Sequence, residues 1–259
     1  KRAAIITMAG AAVIIGAYSL KVYDFRIKYT QTADYMKGNE ENVTEGVVTY
    51  EEATNNQTTA AVRSSYKRLD VECVLQNPEL PTGCEITSLT EVLNYLGYGI
   101  DKETLARNYL DMRDTVTQGC FVEYFWGSPW KTTGSGCFAP AIANAANSFL
   151  KSQNSSYSAY IMSYSPVEDL FTELSLGHPV IVWTSYNYND PDVKYNDVTL
   201  DDGTVFTWPR NEHCAALSGY DIDRGVVTLA DPTYGIVERS MEEFVTYYQK
   251  YYYQAVVVR

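Results

Sequence analysis

Five cysteines and only two histidines are the residues of this chain best suited to covalent chemistry. The cysteines are Cys73, Cys84, Cys120, Cys137 and Cys214, and the histidines are His178 and His213. An odd number of cysteines leaves at least one thiol free or paired between chains. No C-x-x-C and no short-spaced Cys/His cluster occurs, so the sequence predicts neither a metal site nor a cofactor.

Cys84 lies in the stretch "PTGCEITSL", directly after a Pro-Thr-Gly turn and before an apolar segment with helical spacing. Packing, disulfide pairing and nucleophilic attack are all open roles for a cysteine. A helix N-terminus carries partial positive charge and free N–H groups, which stabilise a thiolate. Gly83 lets a substrate carbonyl approach both the sulfur and a backbone N–H. The position favours attack, although the neighbouring carboxylate of Glu85 should slightly raise the thiol pKa.

A catalytic thiol needs a base, an orienting group and a donor for the oxyanion. His213 opens the strand-like segment "HCAALSGYD", whereas His178 follows a helix stop and is predicted to be a loop or cap histidine. Asp231 ends the next strand, "VVTLAD", where a carboxylate would stand at the rim of the sheet. Gln76 lies shortly before Cys84, so its amide is the candidate oxyanion donor.

The elements that must position these residues are helices followed by strands. Helices are predicted in "EITSLTEVLNYL", in "KETLARNYLDM" after Asp101, in "AIANAANSFLKSQ", in "PVEDLFTELSL" between a Ser165–Glu168 capping box and Gly177, and in "MEEFVTYYQK" after Ser240. Strands are predicted in "PVIVWTSY", "HCAALSGYDI", "VVTLAD" and "YYQAVVVR", with a hairpin at Asp223–Gly225. Helices first and antiparallel strands afterwards predict an α+β fold.

The N-terminal part differs from the rest in composition. Residues 1–28 hold an uncharged run from Ala3 to Leu20, which we interpret as an N-terminal membrane anchor or as a cleaved signal segment ending near Ala17-Tyr18-Ser19. Residues 29–68 form a polar spacer that can add one strand to the domain edge, and residues 69–259 form the catalytic domain. Either interpretation places the domain outside the cytoplasm, on the outer face of the membrane or secreted.

The charge of the chain excludes one class of partner. The net charge is −12, so nucleic acid would be repelled and is not expected to bind. Hydrophobic residues make up 46% of the chain, enough for a core that needs no disulfide staples. The oligomeric state is left open.

The motifs together resemble a known family. The segments "QNPELPTGCEITSLTEVLNYLGY", "GSGCFAPAI", "GHPVIVW", "NEHCAALSGYD" and "ADPTYG" are similar to the C39-like (double-glycine peptidase-like) family of bacterial extracellular proteins, over about residues 70 to 259. The resemblance implies a papain-like cysteine peptidase fold, with the nucleophile helix packed on a C-terminal antiparallel sheet. It also implies Cys84 as nucleophile, His213 as general base and acid, Asp231 as orienting group and Gln76 as oxyanion donor.

The expected activity is thiol hydrolysis of peptide or peptide-like amide bonds through a thioester. A cell-wall peptide amidase or transpeptidase using the same residues is an alternative, and an inactive surface-binding module is another. Gly83, Trp183 and Gly136 are predicted to contact the substrate, the last because the Gly-rich loop before Cys137 resembles a family motif that forms a cleft wall. Two alternatives stay open for Cys120 and Cys137, a disulfide or two free thiols; Cys73 and Cys214 are predicted to be buried.

Overall fold

The computed structural model describes residues 64–114, 121–186, 188, 195–200, 203 and 205–259. Its helices are α1 (Cys84–Tyr95), α2 (Lys102–Tyr109), α3 (Ala139–Ser152), α4 (Val167–Leu176) and α5 (Met241–Lys250). Its strands are β1 (Tyr66–Arg68), β2 (Met112–Arg113), β3 (Phe125–Trp126), β4 (Ala159–Ile161), β5 (Val180–Ser185), β6 (Tyr195–Thr199), β7 (Val205–Pro209), β8 (Glu212–Asp221), β9 (Val226–Asp231), β10 (Gly235–Ser240) and β11 (Ala255–Val258). The predicted N-terminal anchor or signal segment and most of the polar spacer lie outside the described residues.

A seven-stranded antiparallel sheet carries the site. Its strand order is β10-β9-β8-β5-β11-β4, and β1 pairs with the far end of β8. The remaining strands of the described residues form two small two-stranded sheets, β2–β3 and β6–β7. Helix α1 packs against β8 and β5, so the helix that begins at Cys84 lies on the strand that begins with Glu212 and His213. The predicted α+β class, with the helix that begins at Cys84 packed on an antiparallel sheet, is confirmed.

Helix α1 forms for the reason that its apolar spacing predicts. Ile86, Leu89, Val92 and Leu93 are completely buried, so one continuous stripe of the helix faces the core. The helix ends before Gly97, whose φ of +92° is a conformation that glycine adopts without a Cβ penalty. This packing rigidly fixes the direction of the helix start.

The capping predictions gave mixed results. The Asp101 side chain accepts from the Thr104 N–H at 2.8 Å at the start of α2, and the Ser240 hydroxyl accepts from the Glu243 N–H at the start of α5, as predicted. The capping box predicted at Ser165 is wrong, because Pro166 occupies the N-cap of α4 and no side chain bonds to that end. Gly177 ends α4 in the left-handed conformation, as predicted.

The strands β8 and β9 form the predicted hairpin, with Asp221 opposite Val226. Strand β10 is missing from the prediction because it is an edge strand with no fully buried residue, and so lacks a hydrophobic run. Strand β1, at the end of the polar spacer, extends the sheet beside β8. None of the helices in the described part of the chain is long and apolar enough to cross a membrane.

Candidate active site

Cys84 is the first residue of α1, and Gly83 is the N-cap. A Cβ on Gly83 would lie 2.9 Å from the Leu80 Cβ and 3.1 Å from the Pro129 Cβ. The turn therefore needs glycine so that the chain can pass between these two side chains and enter the helix. The helix-start position predicted for Cys84 is confirmed. The atoms that lie close to Gly83 in the structure belong to the side chains of Leu80 and Pro129, and its predicted contact with a substrate stays a prediction.

The environment of the Cys84 thiol favours its neutral form. The side chain is 9% exposed, and its Sγ donates a hydrogen bond to Glu85 Oε2 at 3.4 Å. Burial raises the pKa of the Cys84 thiol well above its ordinary value, and the nearby Glu85 and Glu212 raise it further, while the Cys214 N–H opposes them. The stabilising effect predicted from the helix N-terminus is therefore outweighed by desolvation and by like charge.

His213 and Asp231 form a buried pair, with 2.8 Å between His213 Nε2 and Asp231 Oδ1. Ala216 lies opposite Ala230, so Asp231 lies nearest Ala215, on the same face of the sheet as His213. The two residues thus meet as a diagonal cross-strand pair, although they are not directly opposed.

The Asp231 carboxylate is held in its ionised form by several donors. Burial raises the pKa of Asp231, but the hydrogen bond and charge of His213 and the N–H groups of Thr233 and Tyr234, at 2.8 and 3.2 Å from Oδ1, bring the pKa below its ordinary value. Because Nε2 of His213 is engaged by this carboxylate, Nδ1 is the ring atom that remains for proton transfer. In the described residues, Nδ1 makes no hydrogen bond to Cys84 Sγ.

Gln76 is tied to the turn that follows Asp231. Its N–H donates to the Pro232 carbonyl at 2.8 Å, and its Oε1 accepts from the Thr233 hydroxyl at 3.4 Å. Its Nε2 donates to the Pro81 carbonyl at 2.8 Å, which leaves the second amide hydrogen for another acceptor. The structure therefore joins Gln76 to the His213–Asp231 side of the site.

Trp183 is a core residue in the structure, and its predicted contact with a substrate stays a prediction. The indole is completely buried, and its N–H donates to the Cys137 carbonyl at 2.9 Å. Strand β5 is buried along its whole length, so Trp183 near the end of this strand lies inside the core and not at the rim of the sheet. Trp183 supports the loop before α3 from within.

Gly136 also has a packing role. Its φ is +112°, and a Cβ there would lie 2.7 Å from Glu85 Oε1 and 3.5 Å from Glu212 Oε1. Two buried acidic side chains thus fill the space beside this glycine. The predicted contact of Gly136 with a substrate stays a prediction.

We expect Gly136→Ala to lower the free energy of unfolding more than Gly97→Ala. Both positions have positive φ, but nothing lies within 4 Å of a Cβ at position 97. Gly97→Ala is therefore the control, and its loss of stability should come from backbone strain alone, about 1–2 kcal/mol. In Gly136→Ala, overpacking against Glu85 should add about 1–3 kcal/mol to that loss. Urea denaturation of the two variants measures the difference, and equal losses would contradict the packing role.

Two features of the site were not predicted from the sequence. Glu212, the residue before His213, lies beside Glu85, and neither of its carboxyl oxygens has a hydrogen-bond partner within the described residues. Tyr186 packs edge-on against the His213 ring, with 5.3 Å between ring centroids, and Tyr234 lies 5.7 Å from Tyr186. The adjacency of Glu212 to His213 was a visible signal, whereas the two tyrosines meet the histidine only through the fold.

A cleft of about 510 Å³ opens beside Glu212. Trp126, Trp208 and Arg210 contribute to its walls, together with Ser135 from the Gly-rich loop. None of the four predicted catalytic residues is among the described residues that line it. The cleft adjoins the site through the residues next to His213 and Gly136.

The remaining cysteines are free thiols in the described residues. Cys137 and Cys214 are completely buried, whereas Cys73 is only partly buried and its Sγ donates to the Asp231 carbonyl at 3.3 Å. Burial, followed by the charge of Glu91, raises the pKa of Cys73 to about 12. Cys120, the other half of the disulfide considered above, lies outside the described residues.

Comparison with known proteins gives three findings. Residues 68–256 match the sequence model of the Peptidase C39 like family. The Bacillus subtilis protein YvpB is 30% identical over 207 residues, which cover 76% of this chain and 78% of YvpB. The crystal structure of a putative C39-like peptidase from Bacillus anthracis is 26% identical, covers 75% of this chain and 97% of its own, and superposes with a TM-score of 0.65.

Proposed function

Because the chain belongs to the Peptidase C39-like family, we propose that it is a cysteine peptidase-like hydrolase that cleaves peptide or peptide-like amide bonds. The observation that carries the proposal is the buried His213–Asp231 pair at 2.8 Å, on the strand against which the Cys84 helix packs. A carboxylate that fixes one ring nitrogen of a histidine is the arrangement that prepares the other nitrogen for general base catalysis.

In the proposed reaction, His213 Nδ1 takes the Cys84 proton and the sulfur attacks the substrate carbonyl. The Cys84 N–H at the helix start and the Gln76 amide stabilise the oxyanion. The histidine then gives its proton to the leaving amine, and a thioester remains on Cys84. Water, deprotonated by His213, hydrolyses the thioester and restores the thiol.

The test is hydrolysis of a broad peptide library by the purified protein, with new termini identified by mass spectrometry. The library should include cell-wall peptides, and an added amine acceptor separates hydrolysis from transpeptidation. New termini from the wild-type protein support the proposal, and aminolysis products favour the transpeptidase alternative. If no bond in the library is cleaved, the proposal fails, and retention of a library peptide by the protein would then favour the binding-module alternative.

We expect Gln76→Ala to lower kcat by about 10²–10³-fold with little change in KM, because an oxyanion donor acts in the transition state. The side chain is 3% exposed and also bonds within its loop, so thermal denaturation must show that the variant is folded at the assay temperature. A raised KM with unchanged kcat would assign Gln76 to substrate binding instead.

The proposal also includes a location outside the cytoplasm. It is supported by the sequence of the N-terminal segment, in which two basic residues precede the uncharged run from Ala3 to Leu20. Cell fractionation of a C-terminally tagged full chain tests it. Recovery in the membrane fraction with protease sensitivity in intact cells, or recovery in the medium, is the expected result; recovery in the cytosol contradicts it.

A further inference from the structure

Glu85 is the residue in contact with the candidate nucleophile. It lies in the first turn of α1 and is 1% exposed, and its Oε2 accepts the Cys84 thiol hydrogen at 3.4 Å. Its other oxygen, Oε1, accepts the Cys137 N–H at 2.7 Å, which anchors the carboxyl group from the loop before α3. The thiol hydrogen is thus directed to Glu85, and within the described residues no hydrogen bond directs it to His213.

Glu212 places a second carboxyl group beside the first. Both Glu85 Oε1 and Glu212 Oε1 lie within 3.5 Å of the position that a Cβ of Gly136 would take, so the glycine allows the two acids to approach one point. None of the ion pairs in the described part of the chain involves either acid. No group of described residues is arranged to hold a metal ion there.

Two buried carboxyl groups this close together do not both keep their charge, because like charges at short range and desolvation disfavour the second ionisation. Glu85 accepts two hydrogen bonds, from the Cys137 N–H and the Cys84 thiol, whereas the oxygens of Glu212 accept none of normal distance and angle from the described residues. Burial and the neighbouring Glu85 raise the pKa of Glu212 well above its ordinary value, against a smaller opposing effect of the Trp183 and Trp208 side chains. Burial also raises the pKa of Glu85, but the hydrogen bonds from the Cys137 N–H and the Cys84 thiol oppose that rise. The negative charge therefore belongs on Glu85, and Glu212 is the neutral acid.

We propose that Glu85 is a positioning residue that accepts the Cys84 thiol hydrogen in the free protein and holds the nucleophile protonated, so that Sγ must turn from Glu85 to His213 before it attacks. The proposal rests on the proposed function of Cys84. The titratable groups that face Glu85 are Cys84 on its own helix, Cys137 before α3, and Glu212, His213 and Cys214 on β8.

The consequence is a guarded thiol. A carboxylate at 3.4 Å stabilises the S–H form by its hydrogen bond and destabilises the thiolate by its charge. When Sγ turns to His213, the proton passes to Nδ1 and the sulfur electron pair is released for attack, while the pair of acids keeps its own single proton. The free protein should therefore react slowly with alkylating agents at neutral pH.

The test measures the rate of iodoacetamide labelling of Cys84 in the purified full chain between about pH 6 and pH 11, mapped by mass spectrometry. The wild-type midpoint should lie above that of an ordinary thiol, about 8.5. In Glu85→Gln, loss of the contacting charge should lower the midpoint by about one unit. Labelling at pH 7 should then rise about threefold, since the gain in thiolate is partly offset by lower nucleophilicity.

Glu212→Gln is the matched control, because it replaces a neutral acid by a neutral amide of the same shape. Its labelling rate at pH 7 should stay within about twofold of wild type. Equal acceleration of Cys84 labelling in both variants would overturn the proposal, since the effect would then come from the total negative charge of the site and not from the contact with Glu85. Unchanged or slower labelling in Glu85→Gln would also overturn it.

Cys137 and Cys214 serve as internal reporters of unfolding, because both are completely buried. Acceleration counts for the proposal only if Cys84 alone is labelled faster; simultaneous labelling of all three thiols shows that the variant has unfolded. If Glu85→Gln does not fold, the wild-type midpoint decides, and a value below about 8.5 overturns the proposal. Labelling needs no substrate, so a failure of this proposal can be told apart from a failure of the proposed function in the peptide library test.

Discussion

Cys84→Ala is expected to abolish peptide hydrolysis, by at least about 10⁴-fold in kcat/KM, and to leave the fold intact. The magnitude follows from the removal of the only atom that forms the thioester, since oxyanion donors and binding cannot replace a missing nucleophile. The substitution removes one sulfur atom from a position that is still 9% exposed, so the helix start and its packing should persist. Initial rates on the best peptide from the library, with circular dichroism and thermal denaturation, measure both effects.

A second thiol provides the control for this variant. Cys214→Ala removes a completely buried thiol from the same region and should keep hydrolysis within about tenfold of wild type while losing about 1 kcal/mol or more of stability. Residual hydrolysis in Cys84→Ala above about 1% of wild type would refute the assignment of the nucleophile. Loss of activity in Cys214→Ala alone would move that assignment to the neighbouring strand.

His213→Ala is expected to lower kcat/KM by about 10³–10⁴-fold, because Cys84 is a neutral thiol that cannot attack without a base. The variant also leaves the buried Asp231 carboxylate without its partner, so a loss of stability is expected alongside the loss of activity. The pH dependence of kcat/KM separates the two effects, since the ionisation of the base disappears only if His213 takes part in the chemistry.

The other histidine of the chain is the natural comparison. His178 lies about 27% exposed and pairs with Glu173 at 2.8 Å, far along β5 from the candidate site. His178→Ala should keep both kcat/KM and its pH profile, because the contact between His178 and Glu173 is partly exposed and involves none of the four candidate catalytic residues. An equal loss of activity in His178→Ala and His213→Ala would show that the assay reports folding and not catalysis.

Several features of the protein follow from local sequence alone. Apolar spacing predicted the buried stripe of α1, and turn residues predicted the hairpin between β8 and β9, because these depend on helix periodicity and on backbone conformation within a few residues. The position of Cys84 at a helix start follows from the same local rules. Edge strand β10 escaped prediction, since its stability comes from pairing with β9 and not from its own burial.

The contacts between distant residues belong to the tertiary structure. The diagonal pairing of His213 with Asp231 depends on the register of β8 and β9, which no count of residues in a hairpin supplies. Trp183 is a core residue because the whole of β5 is covered on both faces.

The pKa of the Cys84 thiol shows most clearly the difference between what local sequence and what tertiary structure determine. The sequence by itself determined that Cys84 begins a helix, which on local grounds favours a thiolate. Only the tertiary structure brings Glu85 and Glu212 together beside Gly136 and buries Cys84 among them. Desolvation and like charge depend on what surrounds a group in space, so they reversed the expected direction of the Cys84 pKa while the helix start itself stayed as predicted.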